Sequence, residues 1–216
     1  MSADILVPLF QFVVLIFSVM LHEVSHGAVA LALGDDTAKR EGRLTLNPLK
    51  HVDPTGSVLV PLLLYVATQG RLVFGWARPV PYDPRFLKNP KAAEGIIAAA
   101  GPGCNLLVAV IFAGILGILR FAGSAPPQLE VFISAIIFIN ILLGVFNAVP
   151  IPPLDGSKIL FSLLPSSAAA HRARETLERY GLPILLVFII FGMPLIVPVV
   201  EGLFRFLVMD VSKGLV

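Results

Sequence analysis

Residues 16–34 read IFSVMLHEVSHGAVALALG, so His22, Glu23 and His26 stand inside a run that is otherwise almost wholly apolar. With the residues before it, the run extends over Ile5–Leu33, more than the roughly 20 residues a hydrocarbon core requires. A carboxylate at mid-helix costs about 2.5 kcal/mol or more even on a lenient insertion scale, so the cluster needs a compensating partner. Two histidines at i and i+4 lie about 40° apart around a helix axis and can reach one metal ion, and the intervening glutamate can activate a water. The competing reading is a polar patch satisfied by neighbouring helices. The helix continues over Gly27–Leu33 before Gly34-Asp35-Asp36, about 10 Å at 1.5 Å per residue. The cluster is therefore expected inside the membrane, nearer the end of the span that follows it.

The whole chain fits a membrane setting. Of 216 residues, 56% are hydrophobic and 14% charged, with a mean hydropathy of +0.89; soluble domains carry about 25% charged residues. The formal charge of +2 and the scatter of basic residues between apolar segments give no sign of a nucleic-acid partner. A single cysteine, Cys104, excludes an internal disulfide and a cysteine-based zinc site. No basic n-region precedes the first apolar stretch, so that stretch is expected to stay as a membrane helix.

Four full spans are expected, near 5–33, 92–119, 131–149 and 182–200. A fifth apolar run, Val58–Thr68, is short and contains Pro61, which suits a re-entrant segment. Charge supports that choice. Lys39, Arg40, Arg43 and Lys50 precede the run, and Arg71, Arg78, Arg85, Lys88 and Lys91 follow it. A segment that dips and returns puts both groups on the cytoplasmic side, as the positive-inside rule prefers. The polar stretch 166–180 (SSAAAHRARETLERY) reads as a surface helix, capped by Ser166 or Ser167 and ended by Gly181-Leu182-Pro183. The expected fold is an all-α integral membrane protein, one membrane-embedded domain over 1–216, with a small extended or β element at the cytoplasmic side. Arg71–Tyr82 is the expected edge strand for an extended substrate, and Trp76 and Tyr82 are expected interfacial anchors.

Two further polar islands interrupt the apolar helices. NAVPIPPLDG (Asn147–Gly156) has three prolines that force extended backbone, which survives at membrane depth only beside protein or a water-filled cavity. Asp155 fits either the N-cap of a following helix or the carboxylate that completes a His₂-carboxylate metal site. GPGCN (Gly101–Asn105) has glycines that permit close helix approach, and its Asn105 is either a helix-linking amide or an oxyanion donor. His51 and Asp53, in KHVDPTG, are read as turn residues; Glu94 and Glu201 as snorkelling or capping groups; His171 as solvated.

These three islands, in this order, resemble the site-2 protease family of intramembrane zinc metalloproteases. HEVSH matches its HExxH, and Asn147, Pro150, Pro152, Leu154, Asp155 and Gly156 match N-x-x-P-x-P-x-L-D-G. LTLNPLKHVDPTGS (Leu44–Ser57) and GWARPVPYDP (Gly75–Pro84) look like the compact prokaryotic branch without PDZ or nucleotide-sensing domain. The resemblance implies one zinc ion held by His22, His26 and Asp155, with Glu23 activating the water and Asn147 and Asn105 assisting the tetrahedral intermediate. It implies a membrane-protein substrate cut in or near a transmembrane helix, within the lipid bilayer. The rivals are a zinc transporter or metal-handling protein, and an inactive relative serving as a membrane scaffold.

Overall fold

The computed structural model describes residues 3–67, 69, 75 and 77–213. Among these the regular structure is helical throughout. The first helix, α1 (Ala3–Ala32), carries HEVSH in its second half. A single turn follows, α2 (Thr37–Arg40). Asp53 then opens a π-helical turn, Pro54–Leu59, by accepting a hydrogen bond from the Gly56 N–H at 2.6 Å, the turn chemistry expected of it. That turn leads into α3 (Val60–Ala67). Eight residues span only about 12 Å, well short of a crossing.

The next two helices are long. In α4 (Pro90–Phe121) the Asn89 side chain caps the start by accepting from the Ala92 N–H at 3.3 Å, and Pro90 sits where no intrahelical donor is needed. α5 (Pro127–Asn147) stops at the proline-rich stretch, in which the Pro152–Pro153 bond is cis. α6 (Asp155–Leu163) begins on Asp155 itself. Among the described residues three helices are long and apolar enough to cross a membrane: α1, α4 and α5.

The C-terminal part differs from the sequence expectation. The stretch 166–180 and the apolar segment after it are not two elements, because α7 (Ala168–Phe191) runs through Gly181 and Pro183 without stopping. Gly181 is used for packing, since a β-carbon there would lie 2.7 Å from the Pro152 carbonyl oxygen. The break comes instead at Gly192, where α8 (Met193–Lys213) turns away by 67°. A glycine followed by Pro194 in the first helical turn suits such a break. Counted as one bent crossing, this pair makes a fourth span. Ser167 caps α7 as expected, accepting from the Ala170 N–H at 3.2 Å.

The core lies between α4, α5 and α8, around Ala109, Ala113 and Leu116, Ile133, Ile137 and Ile141, and Ile196 and Val200. α1 packs across α4 and α5 on the other side. Large apolar side chains on the outside, among them Phe12, Leu107, Ile118 and Ile190, are more than half exposed and fit a hydrocarbon solvent.

The expected edge strand falls partly on Arg71–Phe74 and Trp76, which lie outside the described residues. Residues 77–83 carry no regular secondary structure, and no strand forms among the described residues. They run over the HEVSH turn of α1 instead.

Candidate metal centre

The HEVSH turn, the start of α6 and the middle of α4 converge on one point. His22 Nε2 lies 3.0 Å and His26 Nε2 3.2 Å from the same oxygen, Oδ2 of Asp155. The imidazoles stand nearly perpendicular, 87° apart, with centroids separated by 4.7 Å. All three side chains are buried. Asp155 is the first residue of α6, yet its carboxylate does not cap that helix: Leu154 holds the cap position and makes no side-chain cap bond.

The hydrogen bonds behind the histidines fix what these atoms offer. His26 Nδ1 faces the Ile97 carbonyl oxygen at 2.6 Å, an acceptor only, so Nδ1 carries the proton. His22 Nδ1 faces Asn105 Oδ1 at 2.7 Å. That amide's orientation is set by its other end, because Nδ2 donates to the Ser18 carbonyl at 3.2 Å and to Asn140 Oδ1 at 3.0 Å. Asn140 is pinned in turn, donating to Ser18 Oγ at 2.9 Å and to the Ile136 carbonyl. His22 therefore also carries its proton on Nδ1. Two lone-pair nitrogens and a carboxylate oxygen then point at one another, an arrangement that a divalent cation would satisfy. A tetrahedral ion with bonds of about 2.0–2.2 Å sets its ligands about 3.4 Å apart, close to the spacings here. The donors fit zinc, with outer partners that orient each histidine as such sites require.

Backbone space is equally specific. A β-carbon on Gly101 would lie 2.5 Å from both His22 Nε2 and His26 Nε2, so α4 can flank the imidazoles only with glycine there. Gly103, expected to serve a similar close approach, faces open space.

The cluster opens into a cavity of about 550 Å³ whose walls include Glu23, Tyr82, Glu94, Asn147 and Lys158. Glu23 is half-buried and its Oε2 accepts from the Val80 N–H at 2.9 Å. Asn147 lines the cavity from the last turn of α5, with Nδ2 on the Leu143 carbonyl at 3.0 Å. Asn105 does not face the cavity. It is fully buried behind His22 and both its N–H groups are taken, so it supports the ligand and has no donor left for an oxyanion. Lys158 Nζ stands 3.8 Å from the outer oxygen of Asp155.

Of Glu94, Glu201, His171 and His51, only Glu94 lines the cavity. Glu94, expected to snorkel or cap, forms a two-pronged pair with Arg174 at 2.6 and 2.9 Å, while Glu201 pairs with Arg205 one turn on. His171 is exposed on α7. His51 is buried, with Nε2 on the Thr45 carbonyl at 3.0 Å, and is remote from the three ligands in its bonding. Ser18 and Asn140 escaped the sequence reading; the available signal was an amide in an apolar span, which seldom occurs without a task.

Comparison with known proteins agrees with the geometry. The pattern of Peptidase family M50 matches residues 113–191, which include Asp155. The protein named "Putative zinc metalloprotease YwhC" from Bacillus subtilis is 40% identical over 183 residues, covering 82% of this chain and 78% of that protein. Rip2 of Mycolicibacterium smegmatis, named in the same way, is 33% identical over 81% of this chain and 64% of its own length. Zinc metalloprotease MJ0392 of Methanocaldococcus jannaschii is 24% identical over 84% of this chain, which spans 42% of that protein. No solved structure matches. With a zinc-ready cluster set among membrane-spanning helices and a relative so similar over most of both chains, this chain belongs to peptidase family M50, the site-2 protease family of zinc metalloproteases.

Proposed function

We propose that this metalloprotease cuts a peptide bond in or near a transmembrane segment of a membrane-protein substrate, using His22, His26 and Asp155 as zinc ligands and Glu23 as general base. The observation that carries the reading is the meeting of those three ligand atoms beside Glu23 in one cavity, between helices whose outer faces are apolar. Zinc held there would supply a Lewis acid that polarises a carbonyl and lowers the pKa of a water toward 7. Glu23 receives the proton of the attacking water and delivers it to the leaving amine. Asn147, whose Nδ2 spends one N–H on Leu143, offers the other to substrate backbone. Lys158 balances the outer oxygen of Asp155. The substrate helix has to unwind first, because its carbonyls are otherwise held in i→i−4 bonds, and Ala77, Pro79, Val80 and Tyr82 border the cavity where it would lie. The basic segments before and after α3 support a cell-membrane protein with this site nearer the cytoplasmic face.

Glu23→Gln tests the assignment. The variant is expected to hold zinc as the wild type does and to lose cleavage of single-span peptides in detergent micelles. A variant that still cuts removes Glu23 from the mechanism. A wild-type protein that moves zinc across vesicles and cuts no peptide favours the transporter instead.

A further inference from the structure

Residues 77–83 lie across α1 at Glu23, and a buried cation holds them there. Arg43 is only 5% exposed, and it has no ion-pair partner among the described residues. Its Nη2 donates to the carbonyl oxygens of Arg78 at 2.7 Å and Pro79 at 3.3 Å. The segment is fastened again on each side: the Arg78 N–H donates to the His51 carbonyl at 2.8 Å, and the Asp83 N–H to Asp35 Oδ2 at 2.6 Å. Between these anchors lies the tripeptide Pro79-Val80-Pro81, followed by Tyr82. Prolines have no N–H, so Val80 supplies the one backbone donor of the tripeptide, and that donor is on Glu23 Oε2 at 2.9 Å. α1 is shaped to receive it. A β-carbon on Gly27, one residue after His26, would lie 2.8 Å from Val80 Cγ1 and 2.6 Å from Leu44 Cδ2, so a larger residue there would have to push both side chains aside.

We propose that Arg43 is a positioning residue for Glu23: by clamping the Arg78 and Pro79 carbonyls it holds the Val80 N–H against one carboxylate oxygen and so fixes where the base stands. The otherwise unexplained stretch around Arg43 and His51 is then a cradle for the Arg78–Val80 backbone. Burying a guanidinium on carbonyls without a carboxylate partner is costly, and a reacting group displaced by about 1 Å can lose about 100-fold in rate. The inference rests on the reading of Glu23 as the base.

A double-mutant cycle tests it. Cleavage is measured on single-span peptides in detergent micelles that the wild type cuts and Glu23→Gln does not, with zinc content and melting temperature recorded for every variant. Arg43→Gln is expected to lower kcat about 10- to 100-fold with KM within about threefold and zinc retained. Arg43→Lys, which keeps a cation for the same carbonyls, is expected within about threefold of wild type. Val80→Pro removes the donor itself and is expected to match Arg43→Gln. Combined with Val80→Pro, Arg43→Gln should then cost no more than the larger single change. Independent, multiplying losses overturn the proposal, as does wild-type kcat in Arg43→Gln. If Arg43→Gln does not fold, Val80→Pro and Arg43→Lys carry the test: kcat lowered in Val80→Pro with zinc retained and Arg43→Lys near wild type supports the proposal, and wild-type kcat in Val80→Pro, or zinc lost in step with kcat in Arg43→Lys, overturns it. Arg40→Gln, which breaks an exposed pair with Asp36, is the unchanged control. Should no peptide separate wild type from Glu23→Gln, the parent reading fails before Arg43 is at issue.

Discussion

Gly101→Ala puts the metal centre to a steric test whose size can be read from the structure. The added β-carbon would stand 2.5 Å from the metal-facing nitrogens of both His22 and His26, where an ordinary contact begins at 3.4 Å. About 0.9 Å must be recovered, and neither partner gives easily. His22 is held behind by Asn105 and His26 by the Ile97 carbonyl, while α4 is held by its packing on α1 and α5. Zinc sites tolerate about 0.2 Å in ligand distance. The expected loss of zinc affinity is therefore at least the upper end of the 10- to 100-fold seen when only an outer partner of a ligand is removed. The assay is competition against a chromophoric chelator in detergent, beside Gly103→Ala. The second variant adds the same methyl to the same helix two residues on, into open space. It should bind zinc as the wild type does and gain helix stability of up to about 1 kcal/mol. Equal zinc affinity in both variants would refute the geometry described for α4 and the two histidines.

Removing the amide behind His22 by Asn105→Leu should weaken zinc about 10- to 100-fold, read by the same chelator competition, with a smaller loss for Asn140→Leu, one bond further out. Glu94→Gln gives up a charged, two-pronged pair with Arg174 that joins α4 to α7. It should lower unfolding stability by about 1–3 kcal/mol in a denaturation series while leaving zinc stoichiometry unchanged. Asp35, buried after α1, has its carboxyl held below the usual range: burial pushes it up, but hydrogen bonds from Thr37 and the Asp83 N–H outweigh that. A depressed folded-state value contributes stability that is complete above the unfolded value near 4 and lost as pH falls through the folded one. Melting temperature against pH should thus drop below about pH 4, and less steeply in Asp35→Asn.

The features legible in the sequence are those whose signal is local. Ile5–Ala32 declares itself a span by hydropathy, and HEVSH declares two ligands by helical spacing, because both properties belong to one helix. Asp155 was reachable across 133 positions only because its neighbours form a recognisable string; by spacing alone it could as well have capped α6. The supporting residues were not legible in the same way. Asn140 acquires a role only when α5 brings it against Asn105 and Ser18, and Arg43 only when residues 78 and 79 lie over it. Nothing in the sequence near either residue encodes that meeting. The C-terminal helices show the opposite failure, in which a strong local rule misled. Gly181 and Pro183 look like a helix stop, yet Gly181 serves contact with Pro152, while the chain turns at Gly192. Asn105 illustrates how a polar residue in the right helix can face the wrong way for chemistry: its donors are spent on Ser18 and Asn140, so its part is to hold His22.

The central claim, that His22, His26 and Asp155 form the zinc site, is tested most directly by zinc-edge X-ray absorption on the purified protein in detergent. The account predicts four nitrogen or oxygen ligands at about 2.0–2.2 Å with the scattering signature of two imidazoles. In Asp155→Ala the bound zinc should be lost or one oxygen ligand replaced. A sulfur ligand at about 2.3 Å, a single imidazole, or a spectrum unchanged by Asp155→Ala would contradict it.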